Sequence, residues 1–258
     1  MERYVLGRAL PRQARLGLPP RTRACLFDLD GVLTKTATVH AAAWKQAFDD
    51  FLAARSHATG ERVVPFDAEK DYERYVDGKP RVEGVRSFLA ARRIELPEGL
   101  ASDPPGAPTL HGLGNRKNVI LLELLRKHPA ETFEGSVRYV NAARGCGLRT
   151  AVVSSSKNCQ EVLASAGISD LFDARIDGLV AQEHHLHGKP APDTFLAAAE
   201  ALGVEPGQAA VFEDALAGVE AGRAGHFGYV IGVDRLGQAA ELRRHGADLV
   251  VSDLAALL

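Results

Sequence analysis

The sequence predicts an α/β fold: a doubly wound parallel sheet, Rossmann-like in its core, with an α-helical segment inserted after the first strand. Leu26 to Thr34 reads as the end of a short apolar strand that runs into Asp28 and Asp30, with Gly31 directly behind them. From residue 149 onward, short apolar runs alternate with stretches of helical spacing, the pattern of a parallel sheet. Between residues 36 and 133 there is no convincing strand, and three stretches carry apolar residues at helical spacing.

A strand buried on both faces is a continuous apolar run, and residues 24–27 fit. Side chains alternate along a strand, so Asp28 and Asp30 project the same way from its C-terminal end. In open α/β sheets that end binds ligands. Two carboxylates so close repel, and the pair asks for a divalent metal, a shared proton, or both. Helices are expected over 39–52, 81–91 and 116–126, with 97–108, rich in Pro, Gly and Asp, as an exposed loop. The later strands fall at 150–153, 173–176, 209–212, 229–233 and 248–251. Helices at 158–166, 192–202 and 216–224 lie between them, with Gly167 and Gly203 as stops and Pro192 in a first turn. The expected organisation is an N-terminal extension (1–23), a core (24–36 and 133–258) and a helical cap (37–132) over the active end.

The 258 residues suffice for a sizeable core, and a net charge of -2 gives no reason to expect nucleic acid or an anionic membrane as partner. No apolar run approaches the ~18 residues of a membrane span. The arginine-rich first 23 residues lack the apolar run of a signal peptide. Cys25, Cys146 and Cys159 are odd in number and lack metal-ligand spacing, which suits reduced thiols in a cytoplasmic protein. Arginine outnumbers lysine 23 to 8, so Lys117, Lys157 and Lys189, each inside a short polar motif, stand out as phosphate-binding point charges.

Four of these motifs carry a resemblance. Asp28-Leu29-Asp30-Gly31-Val32-Leu33-Thr34, Val152-Val153-Ser154-Ser155-Ser156, Gly188-Lys189-Pro190-Ala191-Pro192-Asp193 and Phe212-Glu213-Asp214-Ala215 resemble, in order, the four motifs of the haloacid dehalogenase superfamily. The resemblance spans nearly the whole chain beyond residue 23. It implies phosphoryl transfer with Asp28 as nucleophile, since a carboxylate can split one hard transfer into two easier ones as an aspartyl-phosphate. Asp30 would be the general acid/base, carrying a proton for part of the cycle. Asp28, Asp214 and the Asp30 carbonyl would surround Mg²⁺, with Glu213 acting directly or through a water. Ser154 and Lys189 would hold and neutralise the transferring group.

Within that superfamily the chain resembles the β-phosphoglucomutase group. Thr36, His40, Trp44 and Lys45 follow the first motif as in that group, and Ser156-Lys157-Asn158 continue the second. Gly78-Lys79-Pro80-Arg81 resembles its arginine-presenting loop and Arg116-Lys117-Asn118 its lysine-bearing cap helix. The resemblance implies that Arg81, Ser155, Ser156, Lys157 and Asn158 contact substrate, most of them at the phosphate that is not transferred. Thr36, His40 and Lys117 would bind substrate as well, His40 and Lys117 facing the nucleophile across the cleft, and Trp44 is expected in the cap core. Lys35 departs from the group, which commonly has an acid there, and 97–111 resembles an insertion.

Together these imply a monomeric cytoplasmic mutase acting on a small phosphorylated sugar, with glucose 1,6-bisphosphate as activator. The alternative is a phosphatase on a small sugar or polyol phosphate, since the same four motifs serve both. Two further features are read as structural. His184, His185 and His187 form a loop without ordered ligands, and Gly112-Leu113-Gly114 misses the dinucleotide fingerprint because no strand precedes it.

Overall fold

The structure is a computed structural model and describes residues 12–60, 62–127 and 129–258. Six strands, β1 (Ala24–Phe27), β2 (Arg149–Val153), β3 (Ala174–Ile176), β4 (Ala209–Glu213), β5 (Tyr229–Val233) and β6 (Leu249–Val251), form one sheet. All pairings are parallel, in the order β3-β2-β1-β4-β5-β6. The winding direction reverses between β1 and β4, and the crevice outside their carboxyl ends is where such sheets take ligands. Register decides what meets there. Phe27 pairs with both Val152 and Phe212, so the next step along each strand sets Asp28, Val153 and Glu213 level with one another. The Asp28 N–H donates to the Phe212 carbonyl at 2.9 Å, extending that alignment past the strand.

Nine helices are described: α1 (Ala37–Thr59), α2 (Arg81–Ala91), α3 (Leu110–Lys127), α4 (Glu134–Gly145), α5 (Cys159–Ser165), α6 (Gly178–Glu183), α7 (Asp193–Ala201), α8 (Leu216–Ala224) and α9 (Ala239–Arg244). Strand alternation divides them between the sheet's faces. Cys25, Phe27, Val152, Phe212 and Ile231 pack against α4 and α5 through Tyr139, Val140, Val162 and Leu163. Ala24, Leu26, Ala151, Val211 and Val230 pack against α7, α8 and α9 through Phe195, Val219 and Leu242. Phe27 stacks on Phe212 with centroids 4.5 Å apart. Such a pair adds about 0.5–1.5 kcal/mol beyond its burial.

The helices between β1 and β2 form a third apolar cluster, built by Trp44, Phe48, Phe66, Phe88, Leu113 and Leu121 among others. Trp44 is buried and stacks on Phe48 at 5.0 Å, as core rather than as an open sugar platform. The chain leaves for these helices and returns through adjacent segments. Lys35 N–H donates to the Glu131 carbonyl at 2.8 Å, and Phe133 N–H to the Leu33 carbonyl at 2.9 Å. Lys35, the departure from the group's pattern, pairs with Glu131 at 2.9 Å across this junction.

Several elements differ from expectation. α1 continues past Leu52 to Thr59, because the Ala- and Arg-containing segment that follows favours helix without an apolar stripe, and it stops at left-handed Gly60. α3 begins at Leu110, before 116, since Gly112 and Gly114 lower helix propensity but are wanted for packing. A π-helical turn at Tyr72–Val76 and helices α4, α6 and α9 were not expected. α6 and α9 are six residues each, too short for a readable period, and α6 is started by the Asp177 carboxylate accepting from the Leu179 and Val180 N–H groups. Of the N-terminal extension, residues 1–11 lie outside the described residues. The remainder is docked: Leu16 and Leu18 are buried against the sheet, and the Leu16 carbonyl accepts from the Tyr139 hydroxyl at 2.8 Å. Among the described residues no helix is long and apolar enough to cross a membrane.

Candidate active site

The tight turn after β1 brings the first acids into position. Gly31 N–H donates to the Thr34 carbonyl and Leu33 N–H to that of Leu29, both near 2.9 Å or shorter. Gly31 sits at φ 93, and a Cβ there would overlap the Asp214 carboxylate. Glycine is therefore needed twice over, for backbone conformation and for the approach of Asp214.

Asp28, Glu213 and Asp214 are buried together, with one oxygen of each within 4.8 Å of the others. Lys189, on a side chain 1% exposed, donates to Asp28 Oδ1 at 2.5 Å, to Glu213 Oε1 and to the Val153 carbonyl at 3.3 Å. Burial opposes its charge, yet Asp28 and Glu213 outweigh that and hold the ammonium above its ordinary range. Burial pushes the Asp28 carboxyl well up; Lys189 opposes this, while Glu213 and Asp30 add to it. Asp214 is likewise raised, by burial and then by Asp77, Glu213 and Asp28. One ammonium among three carboxylates leaves an excess of two negative charges when all are ionised. This oxygen-rich, over-negative set fits a hard divalent cation. Glu213 differs from the other two: its second oxygen accepts the Ala215 N–H at 2.9 Å, so both its oxygens are engaged. It holds Lys189 in place while remaining one of the three carboxylates of the cluster. The Asp30 carboxylate lies outside this cluster.

Asp30 instead accepts from the Thr36 hydroxyl, which lies 2.7 Å from that of Thr34. His40 Nε2 is 3.7 Å from Asp30 Oδ1, and Lys117 Nζ is 3.2 Å from His40 Nδ1. Burial, reinforced by Lys117, lowers His40 to about 4, so at neutral pH the ring is uncharged. When Lys117 is protonated, Nδ1 can only accept from it, which puts the ring proton on Nε2, facing Asp30. Burial also lowers Lys117 to about 7, with Arg81 adding to the effect and Asp30 opposing it. Lys117 further lies 4.9 Å from the Trp44 ring centroid.

One cleft of about 380 Å³ is lined by Asp28, Asp30, Lys117, Ser154 and Gly188, and also by Arg81, Ser156, Lys157 and Asn158. Ser154 is buried and accepts the Ser156 N–H at 3.1 Å; Ser156 accepts the Asn158 N–H at 3.2 Å. Ser155 and Asn158, expected to touch substrate, line the cleft and also bond across it, whereas Thr36, expected there too, is buried outside its lining. Ser155 donates to the Gly78 carbonyl at 2.7 Å, and Asn158 Nδ2 to Asn118 Oδ1 at 3.0 Å, each tying the sheet side to the inserted helices. Lys157 Nζ reaches Gln182 Oε1 and keeps its remaining donors.

Sequence reasoning missed Asp77, which lines the cleft and is raised to about 7 by burial and by Glu213. It missed Tyr72 beside it and Gln238, whose amide donates to the Asp214 carbonyl at 3.3 Å. Asp77 directly precedes the Gly78-Lys79-Pro80-Arg81 run; Tyr72 and Gln238 carried no signal. His187 pairs with Asp193 at 2.8 Å and is largely exposed, away from any clustered ligands among the described residues.

Four loops at the carboxyl edge of a parallel sheet, presenting a buried aspartate, a serine, a lysine and an acidic pair, define a phosphoryl-transfer enzyme. The chain belongs to the haloacid dehalogenase-like hydrolase family, whose profile matches residues 22–226. It is 58% identical over 250 residues to a β-phosphoglucomutase of Mycobacterium tuberculosis, covering 96% of this chain and 95% of that one. It is 32% identical to a β-phosphoglucomutase of Bacillus subtilis, covering 89% and 88%. The crystal structure of β-phosphoglucomutase from Clostridium difficile matches with a TM-score of 0.71 at 26% identity, covering 92% of this chain and 93% of the other. The family and the clustered carboxylates together imply a Mg²⁺ cofactor.

Proposed function

We propose that this protein interconverts β-glucose 1-phosphate and glucose 6-phosphate through glucose 1,6-bisphosphate. In this reading residues 24–36 and 133–258 are the core, 37–132 the cap, and the enzyme works as a cytoplasmic monomer. The observation that carries it is the single cleft shared by two anion-binding sets. One is Asp28 and Ser154, backed by Lys189 buried against Asp28; the other is Arg81, Ser156 and Lys157, with Lys117 between. A hydrolase needs only the first set. A substrate with phosphate at both ends needs both, and the 58% identity to a named mutase supports the same reading.

With Asp28 carrying a phosphoryl group, Asp30 takes the proton of the C6 hydroxyl of β-glucose 1-phosphate, whose oxygen accepts that group as its bond to the Asp28 carboxylate breaks, giving glucose 1,6-bisphosphate. After the bisphosphate turns, Asp28 attacks the C1 phosphorus, re-forming the carboxyl–phosphate bond as the bond to the sugar O1 breaks, and Asp30 gives its proton to O1, releasing glucose 6-phosphate. Thr36 and His40 set the orientation of Asp30. Lys189 offsets charge on Asp28, and Glu213 keeps Lys189 in place. Mg²⁺, held by Asp28, Asp214 and the Asp30 carbonyl, would offset the charge that builds on the transferring oxygens. The Ser155–Gly78 and Asn158–Asn118 contacts close the cap against water, which favours transfer to sugar over hydrolysis.

The test supplies β-glucose 1-phosphate, Mg²⁺ and catalytic glucose 1,6-bisphosphate and follows glucose 6-phosphate and free phosphate together. Glucose 6-phosphate should dominate. Free phosphate as the main product would replace the mutase by a sugar-phosphate phosphatase.

A further inference from the structure

The Gly112-Leu113-Gly114 run and the 97–109 loop converge on Arg81. The stem of Arg81 lies along α3 at Gly114, where an added Cβ would meet Arg81 Cγ at 3.4 Å. Its guanidinium donates to Asn115 Oδ1 at 3.1 Å. Asn115 in turn donates through Nδ2 to the carbonyls of Ala101 at 3.1 Å and Asp103 at 2.8 Å. One amide thus joins the arginine to the loop with its acceptor on one side and both donors on the other.

The loop is itself braced. Asp103 Oδ2 accepts from Thr109 Oγ1 at 2.6 Å and from the Leu100 N–H at 3.1 Å. Thr109 Oγ1 accepts the Gly112 N–H at 2.9 Å, and a Cβ on Gly112 would overlap the Ala107 carbonyl. Leu110 N–H donates to the Pro97 carbonyl at 3.0 Å, closing the loop's base. Ala101 and His111 line the same cleft as Arg81. Among the described residues no carboxylate pairs with Arg81, so its charge stays available to an anion. A long side chain held in advance by a neutral partner loses less freedom when the anion arrives, which is preorganisation.

We propose that Asn115 is a positioning residue which, braced by the 97–109 loop, presets the Arg81 guanidinium toward the phosphate that is not being transferred. The proposal rests on the second anion-binding set of the mutase reading and extends it to a part of the chain outside the four motifs. An amide suits this task because it accepts from Arg81 without neutralising it, as a carboxylate would.

The test compares Asn115→Ala, Thr109→Val and Arg81→Ala with wild type, on β-glucose 1-phosphate and on acetyl phosphate as a small phosphoryl donor to Asp28. Asn115→Ala should raise KM for β-glucose 1-phosphate about ten-fold, within the loss set by Arg81→Ala, since it releases rather than removes the charged donor. kcat and the reaction with acetyl phosphate should change less than about three-fold. Thr109→Val, which touches neither Arg81 nor the cleft, should raise the same KM by a smaller factor. An unchanged KM, or equal losses on both donors, would overturn the positioning role. If wild type releases phosphate instead of forming glucose 6-phosphate, the mutase reading fails separately, and the KM comparison is then read on phosphate release.

Discussion

Replacing Lys189 by methionine keeps much of a buried side chain's shape and removes its charge. Asp28 Oδ1 loses a donor at 2.5 Å, Glu213 Oε1 loses its lysine partner, and the Val153 carbonyl loses a contact at 3.3 Å. Both carboxylates are nearly sealed from water, with side chains 9% and 0% exposed. Removing one partner of such a buried pair costs about 3–5 kcal/mol because the remaining charge is uncompensated. For a chain of this size each kcal/mol lowers Tm by about 2–4 °C, giving a fall of roughly 10 °C near neutral pH. The sign with pH follows from Asp28. Burial, with Glu213 and Asp30, already holds its folded-state carboxyl above the usual value. Loss of Lys189 raises it further. Stability from a raised carboxyl is present below its unfolded value and lost as pH rises through its folded one. The deficit of Lys189→Met should therefore be widest near pH 7.5 and narrow toward pH 5. Thermal melting followed by circular dichroism in chelator, at both pH values, reads it directly. The transfer to Asp28 from acetyl phosphate should slow by about 10²–10³. A variant that melts with wild type at pH 7.5, or whose deficit grows on acidification, would refute the reasoning.

Gly31→Ala must displace the Asp214 carboxylate and adopt φ 93, so Mg²⁺ affinity measured by calorimetry should fall at least about ten-fold. Unchanged affinity would remove Asp214 from the metal site. Lys117, lowered to about 7 by burial, should regain its proton when an anion enters the cleft. Binding of glucose 1,6-bisphosphate at pH 8 should then take up a proton, seen as a dependence of the calorimetric enthalpy on buffer ionisation heat, and Lys117→Met should abolish it. In the unliganded protein the cost of burying this ammonium is full below about 7 and is relieved as pH rises toward 10.5. Lys117→Met should accordingly raise Tm more at pH 6.5 than at pH 9.5; the opposite order would show that Lys117 is not strained by burial.

The sheet was legible because its strands are short apolar runs that end in chemically distinctive residues. β1 runs directly into Asp28 and β4 finishes in Glu213, and period-two alternation tells which side chains share a face. Elements without such a signal were lost. The Tyr72–Val76 turn has no period to read, and α9 is six residues long. For the site, Asp28, Ser154, Lys189, Glu213 and Asp214 converge from four separate loops, as motif order suggested. Individual engagements were not legible. Ser155 looks like a third serine in a phosphate-binding run, yet its hydroxyl is spent on the Gly78 carbonyl. Asn158 likewise meets Asn118. Both contacts join residues 40 or more positions apart, and only the docking of the inserted helices on the sheet selects them. The role of Gly112 and Gly114 was hidden for the same reason, because the atoms filling their missing side chains come from Ala107 and Arg81.

The distribution of charge gives the cleft its direction. Acids dominate the sheet side, where Asp28, Asp30, Glu213 and Asp214 outnumber Lys189. The inserted helices contribute Arg81 and Lys117, both with their charge disfavoured by burial. A phosphoryl dianion between the two sides relieves both: with a divalent cation it balances the acids' neighbourhood, and it favours the charged form of the buried bases. Asp77 is the exception, an acid brought from the inserted helices to within the field of Glu213 and raised to about 7 by burial and that carboxylate. Its charge opposes docking of the 77–80 loop against Glu213 and Asp214. A bound cation weakens that opposition, so metal loading and closure of this loop should favour one another. Asp77→Asn removes the opposing charge while keeping the shape. It should leave the protein's melting temperature less dependent on Mg²⁺ than wild type; an unchanged Mg²⁺ increment in Tm would show that Asp77 takes no part in the coupling.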